Sequence, residues 1–113
     1  MSLLEGLRVL DLADGSGALC GRILADLGAD VLKIEPPGGD RSRCEPPYAG
    51  DVPEADRSLT FFSNNVNKRG ITLDAHSDTG RELFERLVRT ADVVIETPPP
   101  DGGLYYDGLR EVN

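Results

Sequence analysis

"LDLADGSGALCGRILADLGADVLKIE", residues 10–35, opens on a short apolar run and closes on another. Between them lie a glycine cluster, "DGSG" (14–17), and a stretch with apolar residues at helical spacing. The first run reaches back to Leu7, and "LRVLDL" (7–12) reads as a strand buried on both faces. "SGALCGRILADLGA" (16–29) reads as a helix. Ser16 is its expected N-cap, Gly28 its terminator, and Cys20, Ile23, Leu24 and Leu27 its apolar face. "DVLKIE" (30–35) is a second strand, stopped by Pro36 and Pro37. The unit is β-α-β, and such crossovers are right-handed.

A second unit follows the same plan. "ITLD" (71–74) reads as a strand. Ser77 caps a helix, "DTGRELFERLVRT" (78–90), whose stripe is Leu83, Phe84, Leu87 and Val88, with Asp78 well placed in the first turn. "DVVIE" (92–96) is a further buried strand, stopped by Pro98, Pro99 and Pro100. The tail "LYYDGLREVN" (104–113) reads as the start of a short helix. The whole predicts one Rossmann-like α/β domain over residues 1–113, a parallel sheet with helices packed on it. Its strand ends face one way, so ligands gather at the carboxyl ends of the strands. The connection 36–59 is long and rich in Pro, Gly and charge. It offers little to bury, which predicts a poorly ordered segment or one held by a partner chain.

Charge narrows the partners. Twelve Lys and Arg against twenty Asp and Glu give a formal net charge of −8, the wrong balance for nucleic acid. An anionic ligand would need a local basic cluster from Arg41, Arg43, Arg57, Lys68 and Arg69. No run is long and apolar enough for a membrane span and no secretory signal is evident, which predicts a cytoplasmic protein. Cys20 and Cys44 read as free thiols, Cys20 within the core. The single histidine, His76, has no partner ligands, so no metal is expected. No Ser-His-Asp set, Cys-His pair or spaced acid pair appears, so no catalytic residue is assigned.

The glycine cluster reads two ways. Gly15, Gly17 and Gly21 form G-x-G-x-x-x-G, one residue off the dinucleotide fingerprint, whose third glycine position is held here by Cys20. Glu35 stands twenty residues past Gly15, where a ribose-binding acid stands in NAD-binding domains. The pattern alone leaves open a phosphate cradle and a plain tight turn. "NKRG" (67–70) is likewise a phosphate grip or a solvated turn.

Four ordered blocks carry more. "LEGLRVLDL", "LCGRILADLGADVLKIEPPGGD", "NVNKRGITLD" and "TGRELFERLVRTADVVIE" together resemble the N-terminal part of the family III CoA-transferases, which include formyl-CoA transferase and 2-methylacyl-CoA racemase. The resemblance runs from Leu4 to Asn113. It implies coenzyme A or an acyl-CoA as ligand rather than NAD, bound by the positions matching the family's contacts: Asp14, Gly15, Ser16 and Gly17 after the first strand, Leu73, Asp74 and His76 after "NKR", and Thr97 and Pro98 after "DVVIE". Lys68, Arg69 and the arginines of the long connection are the expected phosphate partners. The first loop is one residue shorter than usual, His76 stands where lysine is common, and "ETPPPDGG" replaces the usual Glu-Asn-Phe-x-Pro-Gly stretch. The family's nucleophilic aspartate lies downstream of the matched region, so the resemblance implies that this segment supplies CoA contacts without catalysing transfer or racemisation alone. It also implies a homodimer, or association with a catalytic half. A non-catalytic CoA-binding or assembly module and an NAD-binding domain are the alternatives.

Overall fold

The computed structural model describes residues 2–15 and 17–97. Ser16, Pro98 and the expected tail helix lie outside the described residues. Strand β1 (Arg8–Asp11) leads to helix α1 (Ala18–Asp26), strand β2 (Asp30–Glu35), helix α2 (Leu59–Asn64), strand β3 (Arg69–Thr72), helix α3 (Asp78–Val88) and strand β4 (Val93–Ile95). All three pairings are parallel, in the order β3-β2-β1-β4. The expected single parallel sheet is therefore present. β3 begins two residues earlier than the apolar pattern implies, and α2 was not anticipated.

Strand alternation divides the core. Leu10, Leu32 and Ile34 point to one face and pack against Phe84 and Val88 of α3. Val9 and Val31 point to the other and pack with Ala25 and Ala29. On that second face the next residues along are Asp11, Lys33 and Glu35, so it turns from apolar to ionic toward the carboxyl ends of the strands. All three are buried.

This ionic half decides how α1 sits. The helix turns Ala18, Gly21 and Ala25 to the sheet. A Cβ on Gly21 would lie 2.3 Å from Asp11 Oδ2, so only glycine lets the helix approach the buried carboxylate. Of the larger residues expected in the core, Cys20, Ile23 and Leu27 are exposed and Leu24 is half-buried against the Val9 cluster; Leu19 is exposed too. The expected helical face is thus corrected to the small-residue face, because a close approach over polar groups outranks apolar periodicity. The expected cap is corrected as well: Gly17 occupies the N-cap position and makes no side-chain cap bond. Gly28 does end the helix, at φ +104°.

The 36–59 connection forms three 3-10 turns, Arg41–Cys44, Ala49–Asp51 and Ala55–Arg57. This segment has anchors that its low apolar content does not reveal. The loop buries polar anchors in place of apolar ones: Asp40, Ser42 and Ser58. The Ser58 hydroxyl lies 2.9 Å and 2.7 Å from the carbonyls of Ser42 and Glu45, and it accepts the Phe61 N–H at the start of α2. Arg43 is held between the Glu35 carboxylate, gripped by two nitrogens at 2.8 Å each, and the Phe61 ring, 3.9 Å below its guanidinium.

Candidate functional site at the carboxyl edge of the sheet

In an open parallel sheet the place for a ligand is the crevice where the chain reverses its direction of winding. Here β1 lies between β2 and β4, so that crevice lies beyond the carboxyl ends of β1 and β4. The loop leaving β1 meets the residue leaving β4. The Asp14 N–H donates to Thr97 Oγ1 at 2.9 Å, and the Thr97 hydroxyl donates to Asp14 Oδ1 at 3.0 Å. These residues are 83 apart in sequence. Gly17 closes against them: a Cβ there would lie 2.7 Å from Thr97 Cγ2 and 2.9 Å from Ala13 Cβ. The Gly17 and Ala18 N–H groups donate back to the Asp14 carbonyl at 3.0 Å each, which winds the turn into α1. The N-terminal end of α1 therefore lies beside this crevice, where the positive end of the helix dipole favours an anion.

The long connection forms one wall. A Cβ on Gly15 would lie 3.2 Å from a Glu45 carboxylate oxygen and 3.6 Å from Ser42 Cβ. Arg41 reaches over the rim, with Nη1 3.8 Å from Asp14 Oδ2 and its side chain 88% exposed. The wall is tied down at Glu35, whose carboxyl the Arg43 hydrogen bond holds below the usual range, the Asp40 N–H adding to this. Burial would raise the Asp40 carboxyl, but bonds from Lys33 and Ser42 outweigh it and hold that group low as well.

Both groups bind protons less tightly folded than unfolded. They contribute stability above the ordinary carboxylate pKa of about 4, and that stability is lost as pH falls below it. The expected outcome is a melting temperature that drops steeply below about pH 4 in the wild-type chain, and less steeply in Glu35→Gln. Thermal melts across pH 2.5 to 7 check this; parallel profiles for the two proteins would contradict it.

The site residues expected from sequence fall into four places. Asp14, Gly15, Gly17 and Thr97 meet at the β1–β4 crevice. Leu73, Asp74 and His76 follow β3 at the same edge, two strands away. There the His76 N–H donates to Asp74 Oδ1 at 3.0 Å, and the His76 side chain is exposed. Lys68 is turned inward. Its ammonium donates to the Ala18 carbonyl at 2.9 Å and to Asn65 Oδ1 at 2.7 Å, and lies 2.6 Å from Asp11 Oδ2. Arg69 starts β3 at the opposite, amino end of the sheet and pairs with Asp30 through contacts of 2.8 Å and 3.1 Å. Glu35, the expected ribose acid of a dinucleotide site, has its carboxylate taken by Arg43 and the Asp40 N–H. No group of His, Cys, Asp and Glu able to hold a metal occurs among the described residues. No helix among them is long and apolar enough to cross a membrane.

A separate open groove of about 660 Å³ lies between β3 and α3, lined by Ile71, Leu73, Leu83 and Leu87 with Arg86 at its rim. It is mostly apolar, and none of Asp14, Gly15, Gly17 or Thr97 lines it; Leu73 is the one expected site residue that does.

Sequence reading missed the ionic frame of Asp11, Lys33 and Asp40. A signal for it was present: charged residues inside strands that are otherwise apolar must find buried partners.

Residues 4–113 match the family described as CoA-transferase family III. The chain is 47% identical over 97 residues to a succinyl-CoA:mesaconate CoA-transferase of Haloarcula hispanica, covering 85% of this chain and 24% of that protein. It is 42% identical over 115 residues to a formyl-CoA:oxalate CoA-transferase of Streptomyces coelicolor, covering 97% of this chain and 27% of that protein. A crystal structure of a CaiB/BaiF family protein from Brucella suis superposes with a TM-score of 0.85 at 40% identity, over 99% of this chain and 31% of that one. The chain thus spans about a quarter of the length of the curated relatives it matches.

Proposed function

The chain belongs to CoA-transferase family III, and from that premise we propose that its carboxyl edge supplies CoA contacts to an enzyme that moves CoA between carboxylic acids. The observation that carries this reading is the meeting of Asp14 with Thr97 at the sheet's switch point, beside the N-terminal end of α1. Asp14, Gly15, Ser16, Gly17 and Thr97 form one contact set, and Leu73, Asp74 and His76 a second along the same edge. Arg41 is an exposed cation beside the first set. Lys68 and Arg69 are assigned to the frame and to the far end of the sheet, since their charges are already answered there. The names of the Haloarcula and Streptomyces relatives describe transfer, which favours transfer over racemisation. The carboxylate that attacks the acyl-CoA carbonyl, forming an acyl anhydride and releasing CoA thiolate, is left to residues outside these 113. A second copy or a further domain would complete the site.

The dinucleotide reading loses its main support, because the Glu35 carboxylate is held by the 36–59 wall. Calorimetric titration of this chain is expected to show CoA binding and no NAD binding. Gly17→Ala would drive a methyl group into Thr97 and Ala13, and is expected to weaken CoA at least tenfold, about 1.4 kcal/mol. NAD binding tighter than CoA binding would overturn the reading.

A further inference from the structure

We propose that Lys33 and Asp40 are positioning residues for the crevice, holding the Asp14 loop in place through the backbone of Ala13. The ligand arm of this inference rests on the CoA reading above; the structural arm does not. Ala13 is fully buried, and both of its backbone polar groups are taken by side chains of the ionic frame. Its N–H donates to Asp11 Oδ1 at 2.9 Å, and Asp11 is in turn paired with Lys68. Its carbonyl accepts from Lys33 Nζ. Lys33 Nζ also lies 2.5 Å from Asp40 Oδ2, with the two side chains 3% and 4% exposed.

Asp40 is itself fixed, its other oxygen accepting from the Ser42 N–H and the Ser42 hydroxyl at 2.8 Å each. Two buried ion pairs thus converge on one residue, the one before Asp14. The loop beyond is wound tightly on it: the space a Gly17 Cβ would need is already filled by Ala13 Cβ and Thr97 Cγ2. A shift of Ala13 must therefore move the Asp14–Thr97 contact.

The consequence is coupling between distant segments. Asp40 opens the 36–59 connection, and Ser42 and Ser58 tie it to the remainder. If Asp40 leaves, the Lys33 ammonium keeps one carbonyl and no counter-charge in a buried place, which is unfavourable enough to pull it toward water. It then releases Ala13. The conformation of the 36–59 wall is in this way read out at the crevice.

Amide hydrogen exchange followed by NMR, together with CoA titration, tests this on the wild-type chain, Asp40→Asn and Ser42→Ala. In Asp40→Asn the amides of Ala13, Asp14 and Gly17 are expected to exchange at least tenfold faster, while Val9 and Leu10 in the same strand stay within twofold. CoA affinity is expected to fall at least tenfold. Unchanged exchange at Ala13 and Gly17, or uniform acceleration through the sheet, would overturn the proposal, the second by reducing the role to global stability. Should Asp40→Asn fail to fold, Ser42→Ala removes only the bonds that orient Asp40, and is expected to give at least threefold local acceleration; none would overturn the proposal. If the wild-type chain binds no CoA, the exchange result still decides the clamp and the ligand reading alone falls.

Discussion

Lys68→Met is expected to destabilise the chain by about 3–5 kcal/mol, the usual cost of breaking a buried ion pair from one side. The Lys68 and Asp11 side chains are 1% and 0% exposed, so the remaining Asp11 carboxylate could not recover water. Burial pulls the Lys68 pKa below the usual lysine value, and the Asp11 contact works against that shift, so the ammonium is held in place by its partner. The same substitution frees the Asn65 amide oxygen and the Ala18 carbonyl from their donor. A domain of this size has about 5–15 kcal/mol in total, so the variant should unfold at much lower denaturant. Adding Asp11→Asn removes the stranded charge and leaves an amide oxygen able to accept from the Ala13 N–H. The double variant is expected to be more stable than the sum of single effects implies, with a coupling of about 1–3 kcal/mol. Chemical denaturation of the four proteins measures this; strict additivity would show that the pair contributes nothing as a pair.

The opposite substitution pattern would follow if Lys68 were a solvated phosphate grip, as "NKRG" read locally allows. Changing it would then cost CoA affinity and almost no stability. A single chain cannot show which way such a residue turns, because its partner Asp11 lies 57 positions earlier and the link is made only when β1 and the segment before β3 converge. What was legible was whatever depends on neighbours in sequence. β2 is bounded by Asp30 and Glu35 as read, because Gly28 and Pro36 end the elements on either side. Ser77 caps α3 as read, its hydroxyl accepting the Gly80 N–H at 3.0 Å. The parallel sheet was legible because apolar strands alternating with helices have few other ways to bury themselves.

The α1 face was not legible from periodicity. Leu19, Ile23 and Leu27 repeat every four residues like a core stripe, yet the side that packs is the side that can come within reach of Asp11. The informative residues were the small ones, Ala18, Gly21 and Ala25, and the reason for them lies on another element. The Asp14–Thr97 meeting was half legible. The strand order that brings β4 beside β1 follows from the doubly wound plan, but the pair of hydrogen bonds between the two loops does not.

Gly80→Ala is expected to be nearly as damaging as loss of the buried pair, for an unrelated reason. A Cβ on Gly80 would lie 1.7 Å from the Asp74 carbonyl oxygen and 2.7 Å from its carbonyl carbon, and backbone cannot swing aside as a side-chain tip can. That carbonyl is already engaged, accepting from the Ser77 hydroxyl at 2.9 Å and the Ser77 N–H at 3.2 Å. The turn from β3 into α3 thus folds its own backbone over the first turn of the helix, and glycine is the residue that fits beneath it. Alanine must push the helix start away, losing the Ser77 cap and loosening the Phe84 contact that fills the core one turn later. Overpacking of about 1–3 kcal/mol and a lost cap of about 1 kcal/mol give a total of about 2–4 kcal/mol. The displaced turn is the one that carries Leu73, Asp74 and His76, the second proposed contact set. A partly destabilised Gly80→Ala protein, studied cold enough to stay folded, is therefore expected to lose CoA affinity as well, while the Asp14–Thr97 amides keep their protection. Denaturation midpoints, calorimetry and amide exchange on this one variant separate the two effects. Full CoA affinity in a folded Gly80→Ala protein would place the ligand at the β1–β4 crevice alone and remove the β3 turn from the site.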